Sequence, residues 1–283
     1  DVLKLIDVDS SFFSSCTCCS QKKRMNQRAL DLRHTGQFPA LLLDYLDQKD
    51  DLSSYYGVFP NIENASQQLR LREGFDNRHR ETLVEVLKAQ YAGVANPPAL
   101  DTLRESTTFT VTTGHQLSIF TGPLFVIYKI ITTINLARKL QEAYPDYTFV
   151  PVYWMASEDH DFDEIASFRL RGKKYSWNIQ AQGAVGRLDP RSLAGLLAQL
   201  PSGIPFFESA YLSHATLADA VRAYMHELFG AYGLVSLDAD DARLKRQFLP
   251  VIQAELFGDS VEASVAACTA DLQAMGYQTP VSA

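Results

Sequence analysis

Phe109-Thr110-Val111-Thr112-Thr113-Gly114-His115-Gln116-Leu117-Ser118-Ile119-Phe120-Thr121-Gly122-Pro123 is the stretch whose reading decides the fold. Phe109 to Thr112 is β-branched and aromatic, the composition of a strand. Thr113 to Thr121 reads as a loop. Gly122 and Pro123 then open a helix, because the first helical position has no use for the amide that proline lacks. The helix is expected to run to about Tyr144, where Tyr144-Pro145-Asp146 ends it. Leu124, Ile127, Ile131 and Ile134 share a face, and Ile130, Ala137 and Leu140 widen it, so the helix should be covered on more than one side. Phe149-Val150-Pro151-Val152-Tyr153-Trp154-Met155 follows as a second strand, apolar on both faces as buried parallel strands are. Pro151 cannot donate to a ladder and belongs at the strand start or on an unpaired edge. Strand, helix and strand form a βαβ unit, which makes the fold class α/β with a parallel sheet.

Working outward, Ala40 to Leu46 is a short apolar helix after the turn Thr35-Gly36-Gln37-Phe38-Pro39. Leu52 to Phe59 is an aromatic packing segment, and Asn64 to Tyr91 is helical by pattern. Ile165–Leu170 and Lys174–Ile179 alternate around Arg171-Gly172-Lys173, which predicts an inserted hairpin. Arg191–Leu200 and Thr216–Phe229 read as helices, and Gly233–Leu237 as a short buried strand. Asp240 is a candidate cap for a helix over Ala242–Phe257, with a last helix over Ser264–Met275. His214 and His226 read as surface or packing residues, and Arg243, Lys245 and Arg246 as a solvated helix face.

Two polar loops follow the two strands, the arrangement by which an open α/β sheet builds a small-molecule site. In the first, Thr113 and Gly114 let a ligand approach the backbone, and His115 and Gln116 offer hydrogen bonds to a phosphate or a developing charge. Thr121, Gly122 and the helix start supply partial positive charge for an anion, and Lys129 adds a full one if it faces the loop. The second loop is Ser157-Glu158-Asp159-His160-Asp161-Phe162-Asp163-Glu164. Its density of carboxylates suits a substrate amine, a ribose or a magnesium ion, and equally a solvated acidic surface. Glu158, Asp159 and His160 are its candidate site residues. Asp238-Ala239-Asp240-Asp241 reads as a capping cluster.

The net charge of −7 argues against a nucleic-acid backbone as partner. No apolar run approaches the ~18 residues of a membrane span. Of the 4 cysteines, Cys16, Cys18 and Cys19 crowd together without a usual zinc spacing, so no metal site is assigned. Nor do they suggest a disulfide framework, and the chain reads as cytoplasmic. Asp1 to Arg24 has neither periodicity nor the form of a secretion signal, and translation is expected to begin near Met25.

Taken jointly, Thr113-Gly114-His115-Gln116, Phe120-Thr121-Gly122-Pro123, Tyr128-Lys129 and Phe149 through Phe162 resemble the BshC family, the cysteine ligases of bacillithiol synthesis. Thr35–Pro39, Tyr55–Pro60, Leu237–Asp241 and Leu244-Lys245-Arg246 extend the likeness from about Leu30 to the end of the chain. The resemblance implies a Rossmann-type core related to class I nucleotide-binding ligases, with a connecting insert. It also implies a coiled-coil arm that this chain does not reach and through which a full-length protein would form a homodimer. The activity it implies joins cysteine to the amine of glucosaminyl-malate through an ATP-activated carboxylate, with Mg2+ as a companion ion. His115, Gln116, Glu158, Asp159 and His160 would then serve catalysis, and Thr113, Gly114, Thr121, Gly122 and Lys129 would bind the nucleotide. Class I ligases carry His-x-Gly-His, whereas this loop has His115 alone. A nucleotidyl transferase of the same superfamily and a non-catalytic ligand-binding fragment are the alternatives. The expected layout is a leader over 1–27, the first part of the core over 28–165, a connecting insert over 166–212, and a return to the core over 213–283.

Overall fold

A computed structural model describes residues 30–200, 205–258 and 260–279. The cysteine cluster at Cys16, Cys18 and Cys19 and the expected start at Met25 lie outside the described residues. The helices are α1 (Ala40–Leu46), α2 (Ala65–Leu71), α3 (Asn77–Gln90), α4 (Leu124–Ala143), α5 (Phe162–Ile165), α6 (Ala194–Leu197), α7 (Pro205–Ser213), α8 (Leu217–Phe229), α9 (Ala242–Gln247), α10 (Leu249–Phe257) and α11 (Ser260–Ala274). The strands are β1 (Thr108–His115), β2 (Thr148–Met155), β3 (Ser167–Leu170), β4 (Lys173–Ser176) and β5 (Val235–Asp238). Two compact units result: one spans Arg72–Gln247, and the other comprises the described residues up to Leu71 and from Phe248 onward.

In the Arg72–Gln247 unit, β1, β2 and β5 form a parallel three-stranded sheet in that order. Val152 and Trp154 of β2 and Val235 and Leu237 of β5 pack against Val84 and Leu87 of α3 and Tyr91 at its C-cap. Tyr153 alternates with them and turns to the other face, where Tyr224 of α8 lies beside it. The sheet is thus covered from both sides, as its continuous apolar runs require. Pro151 pairs with Val111, and the β5 ladder begins only at Val152, so its missing donor meets no β5 partner. Arg80, buried on α3, donates to Leu103 O (3.1 Å) and Thr108 O (2.9 Å) and so fixes the entry to β1.

Local readings needed correction where backbone chemistry outweighed pattern. β1 does not stop at Thr112. Its ladder runs through Thr113, Gly114 and His115 opposite Tyr153, Trp154 and Met155. Pro123 is the N-cap of α4, with extended ψ of 148°, and not its first helical residue. The buried face of α4 is Val126, Ile130, Thr133, Ile134 and Ala137, while Leu124 is 65% exposed. The span Asn64–Tyr91 is two helices. Gly74 turns left-handed between them (φ 81°), and Asp76 accepts the Arg78 amide to start α3. The expected helix over Ala242–Phe257 also breaks, after Gln247, with Pro250 in the first turn of α10. Asp241 accepts the Arg243 amide at the start of α9, whereas Asp240 binds Arg187 and Lys245. Arg191–Leu200 is a short 3-10 turn followed by α6. The hairpin forms as expected, with left-handed Arg171 and Gly172 at its tip.

The other unit is held partly by aromatics. Tyr45 of α1 meets Tyr56 edge-on at 5.1 Å and Phe59 at 5.3 Å, in line with a packing role for that segment. Tyr277 donates to Asp44 at 2.9 Å, tying the segment after α11 to α1.

Candidate functional site

The parallel register fixes the site's geometry. His115 stands beside Met155, and Met155 beside Asp238, so three strands end in one line. The loops leaving those ends are bonded together. Ala156 N donates to His115 O (3.1 Å), and Ser157 Oγ donates to Asp238. Asp240 N donates to Ser157 Oγ (3.2 Å) and to Asp238 Oδ1 (3.0 Å). Ser157 is fully buried, and Gly186 lies against it, its amide on Ser157 O at 2.8 Å.

Residues 48 positions apart meet across the two polar loops: Gln116 Nε2 donates to Glu164 Oε2 at 3.1 Å. Asp159 accepts the amides of His160 (2.7 Å) and Asp161 (3.1 Å). The Asp161 amide leads in holding the Asp159 carboxyl below the usual range against the opposing effect of burial, helped by the His160 amide and the nearby Gln116 side chain. Asp161 accepts the Glu164 amide at 3.2 Å and caps α5. Part of the acidic run therefore shapes its own loop. Glu158 is exposed, and the His160 side chain is 89% exposed with Nδ1 3.9 Å from Asp159.

On the β1 side, Lys129 reaches back from α4 to donate to Gly114 O, and its ammonium lies over the Phe125 ring. His115 is half-buried, with its ring edge-on to Phe125 at 5.1 Å and its Nδ1 3.1 Å from Gln116 O. Gly114 is exposed, and a Cβ there would make ordinary contacts with Trp154 at 3.6–3.9 Å, so packing does not demand the glycine. Gly122 differs: with φ 67° and ψ −153° it occupies a region open almost only to glycine. Phe120 and Thr121 before it are also left-handed, at φ 53° and 70°.

Gly114, His115, Gln116, Lys129 and Asp159 are thus gathered at one edge, with Thr113 on the last turns of the ladder and Thr121 and Gly122 in the strained turn into α4. Glu158 and His160 share the loop but face solvent. Sequence reading did not single out Glu164, the Ser157–Asp238 bond, or the tyrosines 153, 211 and 224 beneath the first loop. Glu164 lay within the acidic run and was legible. The rest depend on partners far along the chain. A cavity of about 430 Å³ shares Phe120 with the loop but is otherwise walled by residues such as Leu197, Phe207 and Leu212, so it is not the space between the polar loops. Among the described residues, no group of three or more His, Cys, Asp or Glu side chains is arranged to hold a metal ion, and no helix is long and apolar enough to cross a membrane.

A parallel sheet covered on both faces, with polar loops leaving its aligned carboxyl ends, defines a Rossmann-like α/β domain. Residues 25–283 match the model of the N-terminal Rossmann-like domain of bacillithiol biosynthesis BshC, and the chain belongs to that family. Among curated relatives, a protein of Flavobacterium johnsoniae is 47% identical over 237 residues, covering 78% of this chain and 45% of the relative. One of Flavobacterium psychrophilum is 44% identical over 80% of this chain and 46% of its own length. One of Christiangramia forsetii is 41% identical over 91% of this chain and 52% of its own. Each bears the name "Putative cysteine ligase BshC". The chain spans about half the length of these relatives.

Proposed function

We propose that this chain supplies the activation half of a cytoplasmic carbon–nitrogen ligase, which joins cysteine to the amine of glucosaminyl-malate at the expense of ATP. The observation that carries the reading is the Gln116 hydrogen bond to Glu164. It brings a loop suited to anions and a loop suited to amines to one edge. Amide formation needs both: an acyl group made electrophilic, and an amine held beside it.

The residues fit a nucleotide in kind. Lys129 has no carboxylate partner among its described contacts; its ammonium bonds a carbonyl and covers an aromatic face. His115 lies next to it, and the start of α4, a helix of 20 residues, adds partial positive charge. Bound there, ATP would supply the leaving group that activates the carboxylate. Lys129 and the α4 amides would hold its phosphates, Gly114 would admit them to the backbone, and His115 would stabilise charge as it develops. Asp159, ionised down through the usual carboxylate range, would pair with the substrate ammonium, and Glu158 or His160 would take its proton before attack. A magnesium ion accompanying the nucleotide would be held mainly by phosphate oxygens, as this hard cation ordinarily is.

The test is a mass-spectrometric assay of the full-length protein with cysteine, ATP and glucosaminyl-malate. The ligase reading expects a product heavier by one cysteinyl unit. An adenylylated acceptor would point instead to a nucleotidyl transferase, and no product at all would reject both.

A further inference from the structure

We propose that Tyr153, Tyr211 and Tyr224 are positioning residues whose buried hydroxyls hold the backbone from His115 to Phe120 in the shape that sets the α4 N-terminus at the edge where the two polar loops meet. The inference rests on the anion-binding reading of that loop. The three tyrosines come from three elements, β2, α7 and α8, and each is at most 1% exposed. Each hydroxyl meets the loop's main chain. Tyr153 Oη donates toward His115 O and Gln116 O, both at 3.4 Å. Tyr224 Oη donates to Ser118 O at 3.3 Å, and Phe120 N donates to Tyr211 Oη at 2.7 Å. The Tyr211 and Tyr224 rings also meet edge-on, with centroids 5.8 Å apart.

Tyr224 donates its proton to Ser118 O, and Tyr211 accepts from Phe120 N, so a donor and an acceptor of the same loop are both met. Burial pushes all three hydroxyls up, so none ionises near neutral pH and the pattern has no charged competitor. The loop needs such support. Phe120 and Thr121 lie at φ 53° and 70°, where side chains are disfavoured and a β-branched one most of all. Unpropped, this turn would relax toward ordinary backbone and swing Gly122 and the first α4 amides. The Phe120 ring adds a clamp, packing on Phe168, Phe207 and Tyr211 at 4.6–5.2 Å. A phenylalanine at any of the three sites would complete the core equally well. The hydroxyls are therefore explained by the loop.

Hydrogen exchange and nucleotide titration of the full-length protein test this with Tyr211→Phe and Tyr224→Phe. Without ligand, amides of residues 116–124 should exchange about 10-fold faster in each variant, with α3 and β2 unchanged. The affinity for Mg-ATP should fall by about 10- to 100-fold while the melting temperature stays close to wild type. The double variant should be little worse than either single one, because both hydroxyls brace the same short turn. Unchanged exchange in 116–124, or acceleration spread evenly over the unit, overturns the prop. Faster local exchange with unchanged ATP affinity overturns the positioning role. Wild-type protein that fails to bind ATP overturns the nucleotide reading itself, and the ligand-free exchange still judges the prop alone. Should Tyr211→Phe not fold, Tyr224→Phe and Tyr153→Phe give the same readout.

Discussion

Gly114 and Gly122 bracket the first loop, yet the fold asks opposite things of them, and paired alanine substitutions separate the two. At Gly122 a Cβ would sit 2.5 Å from Ser118 Cβ and 3.0 Å from its Oγ. The backbone at φ 67° and ψ −153° is itself closed to side chains, a strain of about 1–3 kcal/mol. Overpacking against buried Ser118 adds roughly 1–3 kcal/mol. Gly122→Ala should therefore cost about 2–6 kcal/mol, or a melting temperature lower by roughly 5–20 °C for a unit of this size. At Gly114 the nearest atoms stand at 3.6 Å or more and φ is not positive. Gly114→Ala should leave stability within about 1 kcal/mol, since alanine is slightly preferred to glycine in a strand. Its effect should instead appear in nucleotide affinity. The assay is denaturant and thermal unfolding of both variants beside wild type. Equal stabilities would refute the reasoning, because only the strained turn distinguishes the two sites.

Three further outcomes follow from other parts of the unit. Gly186→Ala would place a Cβ 2.5 Å from Ser157 Cβ and 2.9 Å from Ser157 O, so it should destabilise by about 1–3 kcal/mol and weaken binding of the amine substrate; a variant as stable as wild type would show that this approach is not needed. Arg78, donating from its guanidinium to both Asp76 oxygens and from its amide, holds that carboxyl at about 2. A depressed folded-state value gives stability that is full above the ordinary value of 3.8 and lost as pH falls through about 2, so the urea-midpoint gap between wild type and Asp76→Asn should shrink over that window. A gap independent of pH would count against the pairing. Asp159→Asn keeps an oxygen for the His160 and Asp161 amides while removing the charge; KM for the amine substrate should rise at least ~10-fold with little change in melting temperature, and an unchanged KM would remove Asp159 from substrate binding.

The βαβ unit was legible because its signals are local: a β-branched run, a Gly-Pro helix entry, and a strand apolar on both faces. Its boundaries were less so. Thr113 to His115 look like loop residues, yet the neighbouring strand supplies a ladder that keeps them extended. The apparent helix across Asn64–Tyr91 failed for the opposite reason, since Gly74 and Asp76 break a pattern that is apolar on average. α7 went unread although Pro205 opens it and Phe207, Ala210 and Tyr211 share helical spacing. His115, Gln116 and Asp159 were legible as polar residues following apolar strands. Their supports were not. Tyr211 meets Phe120 across 91 positions and Ser157 meets Asp238 across 81, and nothing in either neighbourhood announces the partner. Hydroxyls in a core carry meaning only once their acceptors are known.

A crystal structure of the full-length protein with ATP and glucosaminyl-malate tests the central claim most directly. The account predicts phosphate oxygens within hydrogen-bond distance of Lys129 and the α4 amides, with the sugar amine beside Asp159 on the same edge. Nucleotide bound away from His115 and Lys129, or the two ligands on separate faces, would contradict it.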